Sequence, residues 1–262
     1  MTLRVPSLVR VGVLLAGFGY GAGAPAVAQE PAAQADFVFV GTVRLLNSTT
    51  VSTEDTAGLA VVRLDEVVAG SAVLRAFVGK DITVRLQTPS AVKEGEERVF
   101  YANSWIFGDS LGVIEVSSQL QTRAQATAGD LAGAVTKARA GEADRQLKAK
   151  LDRTPLVVVG RVSAVKPSQR PILSEHDPHW SEAEIVVSEV LKGTAQGNVT
   201  MVFPASTDVM WYRAPKPKVG QDGVFLLSAG LSGLAADRVG VTEAQDVLPA
   251  SEIARVKALL GR

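Results

Sequence analysis

The stretch Phe39-Val40-Gly41-Thr42-Val43 returns later in the chain as Val158-Val159-Gly160-Arg161-Val162. Other segments of the first half also return in the same order, and the spacing between partners drifts as it would if loops of different length joined equivalent strands. The further matching pairs are 65–70 with 188–193, 82–84 with 199–201, and 95–100 with 220–225. The sequence therefore predicts two copies of one small β domain.

Each copy is predicted to contain five short strands and a helix. Within residues 81–87, Ile82, Val84 and Leu86 alternate with polar neighbours, which is typical of a half-buried strand. Gly41 and Gly160 both lie inside a predicted strand, where glycine usually marks a bulge or a sharp bend. The predicted strands span 37–43, 59–68, 81–87, 98–107 and 111–117 in the first copy, and 156–165, 183–191, 198–203, 223–228 and 238–242 in the second.

These patterns predict an all-β fold with flanking helices, built as two tandem five-stranded OB-like Greek-key barrels joined by a helix. Short strands separated by turns, in a domain of about 100 residues, favour a closed barrel that hides most of its strand edges. We expect the first barrel at 37–128, the connecting helix at 129–153, and the second barrel with a C-terminal helix at 154–262.

Both helices carry sequence signals for their ends and for a buried face. The first is expected to open at Thr127, in a capping box with Asp130 where Glu is usual, and to run to about Asp152. Ser251 is expected to cap the second, which runs to Leu260. The predicted inward residues are Leu131, Val135, Leu147 and Leu151 in the first helix, and Ile253, Val256 and Leu260 in the second.

The N-terminal residues have the features of an export signal. Arg4 and Arg10 form a positive region, an uncharged apolar stretch follows at 11–23, and Ala26-Val27-Ala28 is a small-x-small cleavage site. A second possible site ends at Ala35, and an uncleaved membrane anchor is the weaker alternative because the apolar stretch barely reaches spanning length. We expect a signal peptide at 1–28, a flexible leader at 29–36, and a periplasmic or extracellular protein with no stable membrane insertion after cleavage.

Composition narrows the possible functions. The chain has no cysteine and two histidines, which excludes disulfides, thiolate metal sites and cysteine nucleophiles. Loss of Arg4 and Arg10 with the signal leaves 25 basic residues against 27 acidic ones. This balance lacks the positive charge that a polyanion partner requires, so no nucleic-acid partner is expected. No cofactor is predicted.

The order of the repeated motifs resembles a known family. Four motifs follow one another in both copies: a V-G-x-V strand, a long strand ending in E-V-x-x-G, a V-T-V-type strand and a G-x-x-x-V-F segment. Over 37–117 and 156–242 this order resembles the netrin-like OB-fold domain of the tissue inhibitors of metalloproteinases, in tandem and in a cysteine-free bacterial exported form. The resemblance implies a protein-binding scaffold. The family's inhibitory N-terminal cysteine is absent, so metalloproteinase inhibition by that route is not carried over.

One string suggests hydrolytic chemistry. Gly108-Asp109-Ser110-Leu111-Gly112 matches G-x-S-x-G and spells the GDSL signature of a lipase and esterase family. A nucleophile elbow needs a strand before the serine and a helix after it, whereas a predicted strand follows Ser110. Neither histidine has an aspartate three residues before it. The string is interpreted as a hairpin turn, and a serine esterase using Ser110 is the alternative.

A second string suggests metal binding. His176, Asp177 and His179 lie within one short loop, and imidazole with carboxylate suits zinc, nickel or copper. A structural loop that turns at Pro178 is the favoured interpretation, because no third histidine or cysteine is available to close a tight site. A weak metal-binding module is the alternative.

The preferred function is non-catalytic binding of a protein partner whose identity the residues do not give. Residues 209–218 join two aromatic residues, a methionine and three cations in a proline-stiffened loop, and Trp, Tyr and Arg are enriched at interface hot spots. The matching loop of the first copy has no aromatic residue. The alternative is that the aromatic residues of this loop cover the open end of the barrel. The predicted contact residues are Trp180, Met210, Trp211, Tyr212, Arg213 and Lys216.

Overall fold

A computed structural model of the chain describes residues 29–53, 55–169, 177–229 and 239–262. The predicted signal peptide at 1–28 lies outside these residues. The protein is mostly β and divides into two compact units, Met1–Ala138 (unit 1) and Arg139–Arg262 (unit 2). The boundary falls inside the predicted connecting helix. Among the described helices, none has both the length and the apolar character needed to cross a bilayer.

Unit 1 is built on a closed five-stranded barrel with strand order β1-β2-β3-β5-β4. The pairing of β3 with β5 is parallel, and the other pairings are antiparallel. A 3-10 helix at Ala72–Phe77 follows β2. The strands are β1 Phe37–Leu46, β2 Leu59–Ala69, β3 Asp81–Arg85, β4 Glu97–Phe107 and β5 Leu111–Leu120, and the helices are α1 Gln29–Gln34 and α2 Arg123–Ala128.

The barrel wall separates two apolar clusters, because successive residues of a strand face opposite sides. Phe39 faces the interior and stacks on Phe100 with ring centroids 5.2 Å apart. Its neighbours Val38 and Val40 belong to the outer cluster, together with Tyr101. Helical residues, among them Ala32, Ala126 and Leu131, complete that outer cluster, so residues 38–41 of β1 and 98–102 of β4 are buried on both faces.

The segment predicted as a flexible leader contains helix α1. Ala32 and Ala35 are 2% and 4% exposed and belong to the outer cluster. The Asp36 amide donates a hydrogen bond to Asn103 Oδ1 at 2.9 Å. The small alanine side chains let the helix pack directly on the barrel wall, a tertiary contact that the composition of the segment does not reveal.

The two mid-strand glycines mark irregular pairing, as their position predicts. In β1 the register with β2 shifts between Val40 and Gly41. A Cβ at Gly41 would lie 2.6 Å from Val62 Cγ1, and a Cβ at Gly160 would lie 2.5 Å from the Val186 carbonyl oxygen. Glycine is required at both positions because the neighbouring strand leaves no room for a side chain.

Unit 2 contains a six-stranded sheet with order β10-β8-β7-β6-β9-β11, in which β10 also pairs with β9. Its first strand shifts register between Val159 and Gly160. The second strand of this unit starts at Trp180, whereas the prediction started it at residue 183. The last strand, β11, is additional to the five predicted strands. The elements are α3 Leu131–Arg153, which begins in unit 1, then β6 Leu156–Pro167, β7 Trp180–Lys192, β8 Val199–Pro204, β9 Asp222–Ala229, β10 Val239–Gly240, β11 Val247–Pro249 and α4 Ile253–Leu259.

The predicted buried faces of both helices are confirmed. Leu131 and Val135 pack in the outer cluster of unit 1. Leu147 and Leu151 pack with Val256 in a cluster of unit 2.

The predicted helix caps are wrong. The capping box belongs to Thr122 and Gln125 at the start of α2, and Thr127 lies inside that helix. Asp130, with a positive φ, separates α2 from α3 and accepts a hydrogen bond from the Gly133 amide. Ser251 lies within a 3-10 turn that precedes α4, so it does not cap that helix. Similar polar residues compete for each helix start, and the chain geometry selects between them.

A buried ion pair fixes the end of α3 within unit 2. Lys150 is buried, and its Nζ lies 2.7 Å from both Asp246 Oδ1 and Glu243 Oε2. Asp246 Oδ2 also accepts hydrogen bonds from the amides of Thr242 and Glu243. The hydrogen bond from Lys150 holds the pKa of Glu243 below its usual value. These contacts pin the turn before β11 to the helix.

Candidate binding surface on the second unit

The structure brings together the two segments that carry the predicted contact residues. Trp180 opens β7 and pairs with Pro204, the last residue of β8. The Ala205 amide donates to the His179 carbonyl at 2.7 Å, and the His179 amide donates to Ser206 Oγ at 2.8 Å. The connection from β8 to β9, residues 205–221, therefore starts beside Trp180. We call residues 205–221 the aromatic loop.

Asp208 organises the first part of the aromatic loop. Its Oδ1 accepts hydrogen bonds from the amides of Met210 and Trp211, at 2.9 and 3.2 Å. Its carbonyl accepts a hydrogen bond from the Tyr212 amide at 2.8 Å. Aspartate favours such turns because its short side chain reaches backbone amides two or three residues further on.

Two tryptophans anchor this turn to the sheet. The rings of Trp180 and Trp211 have centroids 6.0 Å apart and are inclined at 60°. Trp180 is only 9% exposed, so its role in the predicted surface is to pack against the Trp211 ring on the side that faces the sheet. Trp211 is half-buried between this contact and solvent.

Lys216 stabilises the loop through hydrogen bonds to its own backbone. Its Nζ donates hydrogen bonds to the carbonyls of Trp211 and Ala214, at 2.8 and 3.1 Å. Burial lowers the pKa of Lys216, and the nearby charge of Asp208 partly opposes that shift. Ala214 and Pro217 are buried. Lys216 is therefore a structural residue of the loop.

The outward face of the aromatic loop includes four exposed large apolar side chains. Val209, Met210, Tyr212 and Val219 are 86%, 66%, 56% and 63% exposed. Val209 and Val219 were outside the predicted set, although apolar residues in a loop are a usable sequence signal for such a face. Arg213 is exposed, and its Nε donates a hydrogen bond to Tyr212 Oη at 2.7 Å.

The predicted metal loop is described only in part. His176 lies outside the described residues, whereas Asp177 and His179 precede β7. Among the residues with described positions, no group of three or more His, Cys, Asp or Glu side chains is arranged to hold a metal ion. The metal interpretation stays a prediction.

Ser110 of the GDSL-like string lies in the turn between β4 and β5 of unit 1. The Gly108 amide donates to the Ser110 carbonyl at 3.1 Å, and β5 begins at Leu111. The Ser110 and Thr50 hydroxyls are hydrogen-bonded at 2.7 Å, and Thr50 also contacts the hydroxyl of buried Thr83. The serine is thus part of a hydroxyl network that ties a hairpin to a neighbouring loop, and a strand follows it where an elbow needs a helix.

Comparison of the chain with protein-family models and with curated proteins finds no match.

Proposed function

We propose that the mature chain is an exported, non-catalytic binding protein that contacts a protein partner through the aromatic loop. One observation carries the proposal. Four of the eleven large apolar side chains that are exposed among the described residues fall within residues 209–219. Single exposed apolar residues are ordinary, whereas a concentration of them on one loop is typical of an interaction site.

The internal bonding of the loop also supports binding. Asp208, Lys216 and the contact between Trp180 and Trp211 cross-link the loop backbone and tie it to the sheet without any partner. Two prolines, Pro215 and Pro217, restrict the chain further. Binding then costs less conformational entropy, because few groups must be ordered at the interface.

The strand pairings support two tandem OB-like, netrin-like barrels as the scaffold. In unit 1 they run β1–β2, β2–β3, β3–β5, β5–β4 and β4–β1, with only β3–β5 parallel. In unit 2 the pairings β6–β7, β7–β8, β8–β10, β10–β9 and β9–β6 follow the same order, with only β8–β10 parallel. Gly41 and Gly160 occupy corresponding places in the two sets.

The difference between the two units points to function. In unit 1 the segment corresponding to the aromatic loop, residues 86–96, contains a short 3-10 helix at Pro89–Ala91 and no aromatic residue. The barrel of unit 1 closes without an aromatic residue at this place. In unit 2, Trp180 and Trp211 hold the loop on the sheet, whereas the exposed ring of Tyr212 is free for a role other than barrel closure.

The test is capture followed by a measured affinity. Residues 29–262 serve as bait for the exported proteins of the source cell, and a captured protein is identified, purified and titrated against the bait. We expect Met210→Ser/Tyr212→Ser to weaken the interaction at least about tenfold, since central apolar and aromatic contacts each contribute about 1–2 kcal/mol.

The matched control is Val73→Ser/Val78→Ser, which removes two exposed apolar side chains from unit 1. It should leave the affinity unchanged. A purified partner that binds the wild type and the loop variant equally well would place the contact elsewhere. Absence of any captured protein that binds in purified form would contradict the proposed function itself.

A further inference from the structure

The aromatic loop carries two exposed cations whose partners within the described residues include no carboxylate. Arg213 and Lys218 are both exposed. The Arg213 guanidinium lies 5.4 Å from the centroid of the Tyr212 ring, so it is held beside an exposed apolar residue. Lys218 precedes exposed Val219. Over the described part of the chain, neither cation forms an ion pair with a carboxylate.

The other charged groups of the loop, and the residue that follows it, form hydrogen bonds or ion pairs within the protein. Asp208 accepts hydrogen bonds from two backbone amides, and Lys216 donates to two backbone carbonyls. Asp222, the first residue after the loop, forms an ion pair with Arg161 at 2.6 Å. The charges of Asp208 and Lys216 are opposite and offset each other. The net charge that the loop offers to a partner is therefore positive, and it comes from Arg213 and Lys218, which lie beside exposed apolar side chains.

We infer that the partner presents a short acidic segment, in which an apolar side chain packs on Met210 and Tyr212 while neighbouring carboxylates pair with Arg213 and Lys218. This inference rests on the proposed function. A guanidinium suits the task because its fork of donors matches the two oxygens of a carboxylate. The apolar contact supplies most of the affinity, and the charge pairs select the partner and speed its approach.

An anionic membrane surface offers similar chemistry, but the loop favours a protein. Electrostatic attachment to lipid headgroups usually takes a cluster of about 4 or more cations, and the loop exposes only Arg213 and Lys218. Met210 and Tyr212 also belong to a tight turn whose amides donate hydrogen bonds to Asp208. Binding at a membrane interface is instead typical of a longer amphipathic helix.

The experiment selects displayed random peptides on immobilised residues 29–262, so that no partner need be known beforehand. We expect the enriched peptides to combine Asp or Glu with at least one large apolar residue. The charge-reversal variant Arg213→Glu/Lys218→Glu should bind them at least about tenfold more weakly. Raising NaCl from about 0.05 to about 0.3 M should weaken binding to the wild type and have less effect on the variant.

The control reverses two exposed cations of unit 1, Arg44→Glu/Arg75→Glu, and changes the net charge equally. It should bind the peptides as the wild type does. Enriched peptides that lack acidic residues but are lost with Met210→Ser/Tyr212→Ser would overturn the acidic partner and leave the binding surface in place. No enrichment, or binding equal in all variants, would also overturn it.

The membrane alternative is examined on the same proteins with phosphatidylglycerol vesicles. Sedimentation of the wild type with these vesicles, lost in both loop variants, together with no acidic peptide, would replace the protein partner by a lipid surface.

Discussion

Gly41 and Gly160 are the residues at which the strand pattern depends on the absence of a side chain. Each lies where one strand slips in register against its neighbour. At Gly160 the obstacle is the backbone of the neighbouring strand, since the Val186 carbonyl oxygen would lie 2.5 Å from a Cβ. A backbone atom cannot move aside by changing rotamer, so a larger residue must shift the strand.

We therefore expect Gly160→Ala to lower the free energy of unfolding of unit 2 by about 1–3 kcal/mol, as overpacking in a core does. Denaturant titration of residues 29–262, followed by tryptophan fluorescence, measures the change. Gly141→Ala is the matched control in the same unit, because a Cβ there meets nothing within 4 Å and alanine favours the helix. Equal stability of the two variants would show that the close contact at Gly160 is relieved without cost.

At the scale of elements, the aromatic loop behaves as a folded part of unit 2. Its residue types indicate a contact surface, but the contacts divide them by role. Trp180 and Lys216 face inward and hold the loop, whereas Met210, Tyr212 and Arg213 face outward. A substitution at an inward residue should change the order of the loop, and one at an outward residue should change binding alone.

Lys216→Ala tests this division. Without the ammonium group the carbonyls of Trp211 and Ala214 lose a donor, so we expect the amides of Tyr212 and Ala214 to exchange with solvent about five- to tenfold faster. Hydrogen exchange followed by mass spectrometry or NMR measures the rate. Lys218→Ala, which removes an exposed cation from the same loop, should leave these amides as they are. Unchanged exchange in Lys216→Ala would mean that Asp208 and the tryptophans hold the loop unaided.

At the scale of the whole molecule, the N-terminal segment belongs to unit 1. Ala32 of helix α1 and Ala35, the residue that follows the helix, belong to the outer cluster, which also contains Tyr101 and Val40. Burial leaves the Tyr101 hydroxyl without a hydrogen-bond partner among the described residues and raises its pKa. A chain that began after Ala35 would expose this face of the barrel.

We expect residues 36–262 to be less stable than residues 29–262 by about 1–3 kcal/mol, from the apolar area that α1 covers. Thermal and denaturant unfolding of the two chains measures the difference. Glu30→Ala, an exposed change in the same helix, should alter stability by less than about 0.5 kcal/mol. If the chain is exported as proposed, the intact mass of the mature protein distinguishes cleavage after Ala28 from cleavage after Ala35, and we expect Gln29 at its N-terminus. A stable, exported chain starting at Asp36 would contradict both expectations.

The sequence alone determined ten of the eleven described strands, the mid-strand glycines and the apolar stripe of α3. These features follow from local periodicity, because a strand or a helix must show its apolar residues at the spacing of its own geometry. The GDSL-like string is similar, since the strand pattern after Leu111 was enough to predict the turn at Ser110.

Only the tertiary structure decided the burial of Ala32 and Ala35, the choice of helix caps and the pairing of β11 with β9. It also decided that Trp180 and Lys216 face inward while Met210 and Tyr212 face solvent. The reason is that each depends on residues distant along the chain. An alanine is buried or exposed according to the surface against which it packs. A lysine contacts a partner or stabilises its own loop according to the backbone carbonyls within its reach.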